Sequence, residues 1–258
     1  MADLLEAQWE YVRPFVEWDQ ELRQRPDGRG GRWVDARRVL NGVLWILRTG
    51  APWKDPLALR ALSDVSSPFS AVAALGGAGR DLVGALRGPA GARRTGPGGG
   101  VCRCLLRGGK KGGDRIGPTR CGKGSKIVAI VDSHGLPIAV RITSASPNES
   151  TLVEDTLAQR HIAAVPQRLI GDKAYDSDPL DARLRQLHGI EVIAPNRRKR
   201  RKTQDGRPLR RYVRRWKVER LFAWLKNFRR LTSRWERYAT NFLGMVQLGC
   251  ALILLRHL

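Results

Sequence analysis

The second half of the chain alternates between strand-like and helix-like segments, and this alternation most limits the folds open to it. A hairpin comes first: KIVAIVD (126–132) and LPIAVRIT (136–143) predict paired strands, with a tight turn at His134-Gly135. The segments that follow predict helices at 151–160, 177–187 and 209–229, and strands at 167–172 and 191–195. A hairpin followed by alternating helices and strands indicates an α/β sheet domain with helices on its faces.

The first 55 residues predict a small helical module. Residues 3–24 and 34–48 carry apolar side chains at helical spacing, and the basic loop 25–32 joins them. Asp35 is placed to cap the second helix, which ends at Gly50. Two helices with a basic connection could form a DNA-binding unit, and they could equally form a docking or dimerisation module.

Residues 56–109 are rich in Gly, Ala and Arg, and we expect them to be irregular. From 56 to 108 the chain has no Lys, Glu, Gln, Asn, His, Ile, Met, Tyr or Trp. Triple glycine at 98–100 and repeated glycine pairs disfavour helix and strand alike. A flexible linker is one interpretation. Because GC-rich codons encode Gly, Ala, Pro and Arg, our hypothesis is translation out of frame, with compensating shifts near residues 56 and 108.

The charge of the chain predicts a polyanionic partner. Lys and Arg number 47 against 24 Asp and Glu, a net charge of +23 over 258 residues. Nucleic acid is the usual partner for a surplus of this size. We expect phosphate contacts from a run of six consecutive cations: Arg197, Arg198, Lys199, Arg200, Arg201 and Lys202.

The sequence predicts neither a zinc site nor a disulfide framework, and it predicts no membrane span. The four cysteines form no series of C-x2-C pairs and are not followed by spaced histidines, which fits a reducing cytoplasm. The acidic, amphipathic N-terminus lacks the features of a signal peptide. The most apolar stretch, Phe242–Leu255, is short and broken by Gln247 and two glycines, so we predict a buried terminal helix.

A helix near the C-terminus carries one carboxylate among cations. In YVRRWKVERLFAWLKNFRR, Tyr212, Arg215, Glu219 and Lys226 follow the spacing Y-x2-R-x3-E-x6-K. Arg215 and Glu219 share a helix face. An apolar stripe lies beside them: Val218, Leu221, Phe222 and Leu225. Such a helix could deliver a metal-binding acid to a phosphate-rich substrate, and the other interpretation is a solvated basic helix with one ion pair.

Asp172 closes an apolar strand in LIGDKAYDSD. Acids at strand ends reach the clefts in which α/β enzymes bind their ligands. Asp176 or Ser177 is the better cap for the next helix, so we expect the Asp172 carboxylate to be free. Asp172 and Glu219 together could hold Mg²⁺, which prefers oxygen ligands. A two-ion site for phosphodiester transfer normally needs one more acid.

These motifs resemble the transposases of short bacterial insertion sequences, in the IS-five-like DDE branch with the signature Y-x2-R-x3-E-x6-K. Four residues match that signature at every spacing: Tyr212, Arg215, Glu219 and Lys226. Further segments look like the family and extend the resemblance over most of the chain: RRVLNGVLWILRTGAPWKD (37–55), KKGGDRIGPTRCGKGSKIVAIVD (110–132), IGDKAYDSD (170–178) and VERLFAWLKNFRRL (218–231).

The resemblance implies a fold, a chemistry and a set of partners. The fold would be an RNase H-like catalytic domain at 110–258, a mixed sheet flanked by helices, behind the helical module at 1–55. Asp172 would be the second acid of a DDE triad and Glu219 the third, and they would bind Mg²⁺ in a two-metal site. A homodimer would bind terminal inverted repeats and target DNA, and would cleave and transfer strands. The element's end would be positioned by Tyr212, Arg215 and Lys226.

The chain departs from the family at the first acid of the triad. In the family this Asp lies on the first strand of the catalytic sheet, a few residues before KKGGD, where this chain reads GGVCRCLLRGG. Asp81 lies too far upstream, Asp114 belongs to the next loop, and Asp132 lies at the hairpin turn. Loss of one metal ligand removes charge where the reaction needs it. We therefore expect a transposase that is inactive as written and has lost its first catalytic strand.

Two other functions stay open. One is a non-catalytic DNA-binding protein that competes for element ends, and the other is an RNA-binding protein, which charge alone suggests. DNA binding that survives without Mg²⁺ would favour the first. Preference for RNA over terminal-repeat DNA at fixed salt would favour the second.

Overall fold

The computed structural model describes residues 4–22, 35–55, 81–86, 99–109, 112–119, 122–163, 165–197 and 213–257. The helices are α1 (Glu6–Leu22), α2 (Ala36–Thr49), α3 (81–86), α4 (Val153–Ala158), α5 (Asp178–His188), α6 (Trp216–Lys226) and α7 (Ala239–Leu255). The strands are β1 (Gly99–Gly108), β2 (Gly117–Thr119), β3 (Gly122–Val131), β4 (Pro137–Ser144), β5 (Arg168–Ile170) and β6 (Glu191–Ile193).

The strands form one mixed sheet in which β1 is central. Strand β3 pairs antiparallel with β1 on one side, and with β4 and β2 on the other. On the far side of β1, strand β5 runs parallel to it and β6 runs parallel to β5. Helices cover both faces, so the predicted RNase H-like architecture is confirmed.

Alternate residues of β3 face two different apolar cores. Ile127 and Ala129 pack with helices α1, α2, α3, α6 and α7 on one face of the sheet. Val128 and Ile130 pack with α4 and α5 on the other. A strand covered on both faces can be apolar without interruption, which explains why the segment KIVAIV has no polar alternation. We call these the first and the second core.

The expectation of an irregular segment is wrong for residues 99–108, which form β1. Val101 lies opposite Val131 of β3 in the antiparallel ladder and opposite Ile170 of β5 in the parallel one. Glycine is depleted in strands when propensity alone decides. Here β5 pairs with Gly99–Val101 and β3 pairs with Val101–Gly108, and these backbone hydrogen bonds do not depend on side-chain identity. The expected loss of the first strand is therefore also wrong.

Residues 81–86 of the same segment form the short helix α3. Leu82, Val83 and Leu86 are buried in the first core. The remaining parts of the segment, at 56–80 and 87–98, lie outside the described residues. Apolar side chains of this segment thus contribute to the fold in two separate places.

The N-terminal helices share the first core with the sheet. At the start of α2, Asp35 accepts a hydrogen bond from the N–H of Arg37 at 3.2 Å, which confirms its predicted capping role. At the end of α2, Gly50 has a left-handed φ of 71°, and its N–H donates to the carbonyl of Ile46. The basic loop 25–32 lies outside the described residues.

Helix α7 is the buried terminal helix that the sequence predicts. Leu252, Ile253 and Leu255 are at most 9% exposed. The helix packs against β4 and α6 within the first core. Among the described residues, no helix combines the length and hydropathy of a membrane span.

Candidate active site

Helix α6 presents Glu219 to the central strand. The predicted apolar stripe of this helix is confirmed as buried: Val218, Leu221, Phe222 and Leu225. Burial of that stripe fixes the rotation of the helix and leaves the Glu219 side chain 41% exposed at its edge. Its Oε1 accepts a hydrogen bond from Nη1 of Arg103 on β1, and Nε of Arg215 lies 3.8 Å from the same oxygen. The carboxylate is therefore held between two guanidinium groups.

Arg103 on the central strand faces α6 and contacts Glu219. The parallel ladder between β1 and β5 ends at Val101 and Ile170, and Arg103 follows Val101 by two residues on β1. Side chains two residues apart on a strand point to the same face. Arg103 therefore points, like Val101, toward the first core and α6, where it contacts Glu219. β1 thus places a cation against Glu219.

Asp172 is not free, contrary to expectation, because it caps a single turn of 3-10 helix. Its Oδ1 accepts a hydrogen bond from the N–H of Ala174 at 2.8 Å, at the start of the turn Lys173–Tyr175. The turn follows the strand almost directly, so the nearest acid satisfies its first free N–H. Ser177 precedes α5 without forming a side-chain cap.

Arg197 binds the loop that carries Asp172. Its backbone N–H donates to Oδ2 of Asp176 at 2.8 Å. Its guanidinium donates to the carbonyl oxygens of Lys173 at 3.2 Å and Ala174 at 2.9 Å. Arg197 was expected to contact phosphate, but its guanidinium and its backbone N–H donate to groups within the protein.

The other predicted DNA-contacting residues divide into two groups. Arg215 and Lys226 are exposed, at the start and the end of α6. Six others lie outside the described residues: Arg198, Lys199, Arg200, Arg201, Lys202 and Tyr212.

The two acids considered as substitutes for the first triad member are engaged elsewhere. Asp132 shapes the hairpin turn by accepting from the N–H groups of His134 at 2.7 Å and Leu136 at 2.9 Å. Asp114 accepts from the buried guanidinium of Arg234 at 3.0 Å and caps the start of α7. In the described part of the chain, no group of three His, Cys, Asp or Glu residues is placed to hold a metal ion.

A polar cluster that the sequence reasoning missed lies in the second core. The Sγ atom of Cys104 lies 3.5 Å from Oη of Tyr175. Burial raises the pKa of the Cys102 thiol to about 12 and raises that of Tyr175 well above its ordinary value. The pKa of Glu149 is also raised, first by burial and then by the Asp172 carboxylate. No sequence spacing predicts this cluster, because separate segments bring its members together.

Two cations of α6 bind the turn between β3 and β4. Lys217 and Arg220 donate to carbonyl oxygens of that turn, and partial burial lowers the pKa of Lys217. The Arg220 guanidinium also lies over the rings of Trp216, at 4.8 Å, and Trp224, at 4.9 Å. These contacts fix α6, and with it Glu219, against the sheet. The spacing W-x3-R-x3-W on one helix face is a sequence signal that could have predicted the stack.

Comparison with protein families identifies both parts of the chain. The family described as the transposase DDE domain matches residues 105–254. A family described as transposases of the IS4/5 family matches residues 4–66.

Individual proteins give the same picture. A protein of Burkholderia cepacia, described as a transposase for insertion sequence element IS402, is 35% identical over 153 residues, or 55% of this chain and 69% of that protein. A protein of Brucella ovis, described as a transposase for insertion sequence element IS6501, is 33% identical over 140 residues, or 51% and 98%. The cryo-EM structure of a piggyBac transposase synaptic complex with hairpin DNA is similar in fold, with a TM-score of 0.52 and 13% identity, over 96% of this chain and 72% of that one.

Proposed function

Because the chain belongs to the transposases of insertion sequences that carry the DDE domain, we propose that it binds element ends but, as written, does not cut them. The family assignment rests on the match over residues 105–254 and on the two relatives. The loss of cutting rests on one observation: β1 carries no acid, and Arg103 on that strand forms an ion pair with Glu219.

The residues of the site do not fit the divalent ions that DDE transposases use. Such ions are held by converging oxygen ligands, and in the described part of the chain no group of three His, Cys, Asp or Glu side chains is placed to hold one. Oε1 of Glu219 accepts from Arg103, and Oδ1 of Asp172 accepts from the backbone. The Arg103 guanidinium against Glu219 also repels a second cation, because like charges a few ångströms apart interact unfavourably. We therefore assign no step of DNA cleavage or strand transfer to a Mg²⁺ ion here.

Binding to DNA is supported by charge and by the surface of α6. The net charge is +23, and Arg215 and Lys226 are exposed on the helix that carries Glu219. The structural neighbour contains a transposase in a synaptic complex with hairpin DNA. We propose that Tyr212 and the run 197–202 join these side chains in binding terminal inverted repeats and target DNA, as a homodimer.

The test is binding and cleavage of two labelled duplexes, one with the element's terminal repeat and one scrambled. We expect tighter binding of the terminal repeat, equal affinity in EDTA and in Mg²⁺ at matched ionic strength, and no nicked product. Equal affinity for both duplexes would overturn end recognition. Nicking that requires Mg²⁺ and disappears in Glu219→Gln would overturn the loss of cutting.

The alternative function, a DNA-binding protein that competes for element ends, is favoured by the same ion pair. Under this alternative the chain should inhibit an intact transposase of the same element in a cleavage assay. Glu219→Ala should leave that inhibition unchanged, because phosphate contacts supply the binding. An RNA competitor that displaces terminal-repeat DNA would instead favour the RNA-binding function.

We also propose that a change of reading frame explains the missing acid. The residues between about 56 and 108 have the composition of GC-rich codons read in the wrong frame. Sequencing of codons 50–115, with all frames translated, tests this. A continuous strand ending in Asp before Lys110 in another frame supports the proposal, and its absence in every frame refutes it.

A further inference from the structure

We propose that the outer sides of α1 and α2 form the contact between two copies of this chain, with α1 of each copy lying against α2 of the other. The proposal rests on the homodimer of the proposed function and goes further by naming its interface. Of the two roles left open for the N-terminal module, it assigns dimerisation and not DNA binding.

Helix α1 is acidic, although the chain as a whole is strongly basic. Its 17 residues include five acids and one cation, a net charge of −4, whereas the whole chain has a net charge of +23. None of the other described helices is as acidic. Glu6 and Glu10 point outward, with side chains 69% and 58% exposed, and the large side chains of Leu5 and Tyr11 are 63% and 41% exposed. Such a surface repels DNA and attracts a cationic protein surface.

Helix α2 carries the opposite charge. Its 14 residues include three cations and no acid. Arg38 and Trp45 are exposed, and they lie two turns apart on the same side of the helix. The Trp45 side chain is 37% exposed, although the opposite side of the helix is buried in the first core. Tryptophan and arginine are among the residue types that contribute most to protein interfaces.

Contacts within the chain hold the two helices side by side. Nη1 of Arg37 on α2 lies 2.6 Å from Oε2 of Glu6 on α1. The same guanidinium donates to the carbonyl of Leu4 at 3.1 Å and lies 5.8 Å from the centre of the Trp9 ring. An acidic and a basic surface are therefore neighbours on the outside of the module.

This pair of surfaces is complementary to a second copy of itself. In a two-fold interface each patch is used twice, so α1 of the first copy lies against α2 of the second and α1 of the second lies against α2 of the first. Both contacts then join opposite charges. Two copies with a net charge of +23 each repel one another over most of their surface, so an attractive contact requires a patch of this kind.

The test is the oligomeric state of the full chain without DNA, measured by sedimentation velocity over a range of concentrations and salt. We expect a dimer whose dissociation constant rises with salt, because salt screens exposed charges. Glu10→Arg and Arg38→Glu should each weaken the dimer by at least about tenfold, since each brings like charges together in both contacts. An equimolar mixture of the two variants should dimerise like the wild type, because in the mixed dimer both contacts again join opposite charges.

Asp155→Arg and Arg183→Glu are the matched controls. They reverse one acid and one cation on α4 and α5, which cover the other face of the sheet, and the side chains are 64% and 49% exposed. Asp155 forms a surface ion pair with Arg141, as Glu10 does with Arg13. Both controls should dimerise like the wild type. Circular dichroism establishes whether each variant is folded.

Hydrogen exchange of the wild type, above and below its dissociation constant, tests the interface without any substitution. We expect dimer-dependent protection within residues 6–22 and 36–49, because amides at a contact exchange more slowly when the contact restricts opening. This measurement decides the question if a charge-reversed variant does not fold.

Four results would overturn the proposal. They are a wild type that stays monomeric, protection confined to other segments, a mixture of the two variants that dimerises no better than each alone, and controls that weaken the dimer equally. Loss of DNA affinity in Arg38→Glu without a change of oligomeric state would assign the module to DNA binding instead. Because the dimer is measured without DNA, failure of end recognition leaves these results interpretable, and end binding by a monomer would refute the interface alone.

Discussion

At the scale of single residues, Glu149 carries a charge in an unfavourable place. Its Oε2 atom is buried and has no hydrogen-bond partner among the described residues. Burial and the nearby Asp172 carboxylate raise its pKa above the ordinary value of 4.5, and Lys126 and the side chains of Tyr175 and Cys104 oppose them only in part. A carboxyl group with a raised pKa in the folded state favours folding when protonated and loses that contribution as the pH rises.

Glu149→Gln should therefore stabilise the protein increasingly as the pH rises from 4.5 to 8. Below the ordinary pKa both states of the wild type are protonated, and the two proteins should differ little in pH dependence. Above it the wild type loses stability as the pH passes through the raised pKa, whereas the amide does not. Urea unfolding at several pH values measures the difference in free energy. Glu10→Gln, on an exposed part of α1, is the control, and a pH-independent difference for Glu149→Gln would contradict the prediction.

At the scale of elements, the hairpin and the helices around it could be predicted because their own residues specify them. Apolar runs, an Asp35 cap and a glycine at the end of α2 are local signals, and each is found as predicted. Strand β1 could not be predicted, because its backbone is ordered by pairing with β3 and β5 and not by its glycine-rich composition.

The part of the candidate site that depends on local sequence could be predicted, and the part that depends on contacts between distant segments could not. Glu219 and its apolar stripe lie on one helix, so spacing alone places them. The partner of Glu219 lies on β1, 116 residues earlier in the chain, and only the sheet register brings Arg103 to it. Asp172 was predicted to close its strand, but it lies two residues beyond the end of β5, and its capping bond depends on the turn that follows.

Gly50→Ala should destabilise the protein more than Gly189→Ala does. Both glycines end helices with a left-handed φ, of 71° and 65°, so an alanine strains both, by about 1 kcal/mol. At Gly50 an added Cβ would also lie 3.1 Å from Cβ of Arg229, whereas at Gly189 nothing lies within 4 Å. The difference between the unfolding free energies of the two variants measures the cost of the close contact with Arg229 at position 50. Equal losses would mean that Arg229 moves away without cost.

At the scale of the whole molecule, one buried arginine of the C-terminal half both forms an ion pair and contacts the N-terminal module. Nε of Arg230 lies 2.7 Å from Oε1 of Glu236, and the two side chains are 6% and 0% exposed. The same guanidinium donates to the carbonyl of Ala51 at 3.2 Å and lies 5.6 Å from the centre of the Trp53 ring. We therefore expect the module and the sheet to unfold in one transition.

Glu236→Ala should lower the free energy of unfolding by about 3–5 kcal/mol, because it leaves a buried guanidinium without its counter-ion. Unfolding curves recorded by tryptophan fluorescence and by circular dichroism should coincide, and both should report the lower stability of the variant. Glu10→Ala, which removes a half-exposed partner of Arg13, should change stability little. Two separate transitions in the wild type would contradict the coupling of the N-terminal module to the sheet through the first core.

The basic run should set the salt dependence of DNA binding. Replacing Arg198, Lys199, Arg200, Arg201 and Lys202 by Gln should flatten the plot of log affinity against log salt, by about 0.9 for each lost phosphate contact. Arg197→Gln alone should change the slope by less than the value of about 0.9 for one full phosphate contact. The reason is that the Arg197 guanidinium also binds the loop carbonyls. Fluorescence anisotropy across a salt series measures both slopes. If five neutralised charges leave the slope unchanged, the run does not contact phosphate.

The backbone pairing of β1 has a consequence for what happens to the protein when its gene accumulates mutations. Hydrogen bonds between peptide groups are the same whichever side chains are attached. A strand can therefore have most of its residues substituted and still pair with the same neighbours in the sheet. Under the proposed loss of cutting, a copy of the element that changes in this way loses its chemistry while it keeps its fold. Under the proposed function, such a folded copy would occupy the ends of active copies of the same element and slow their spread.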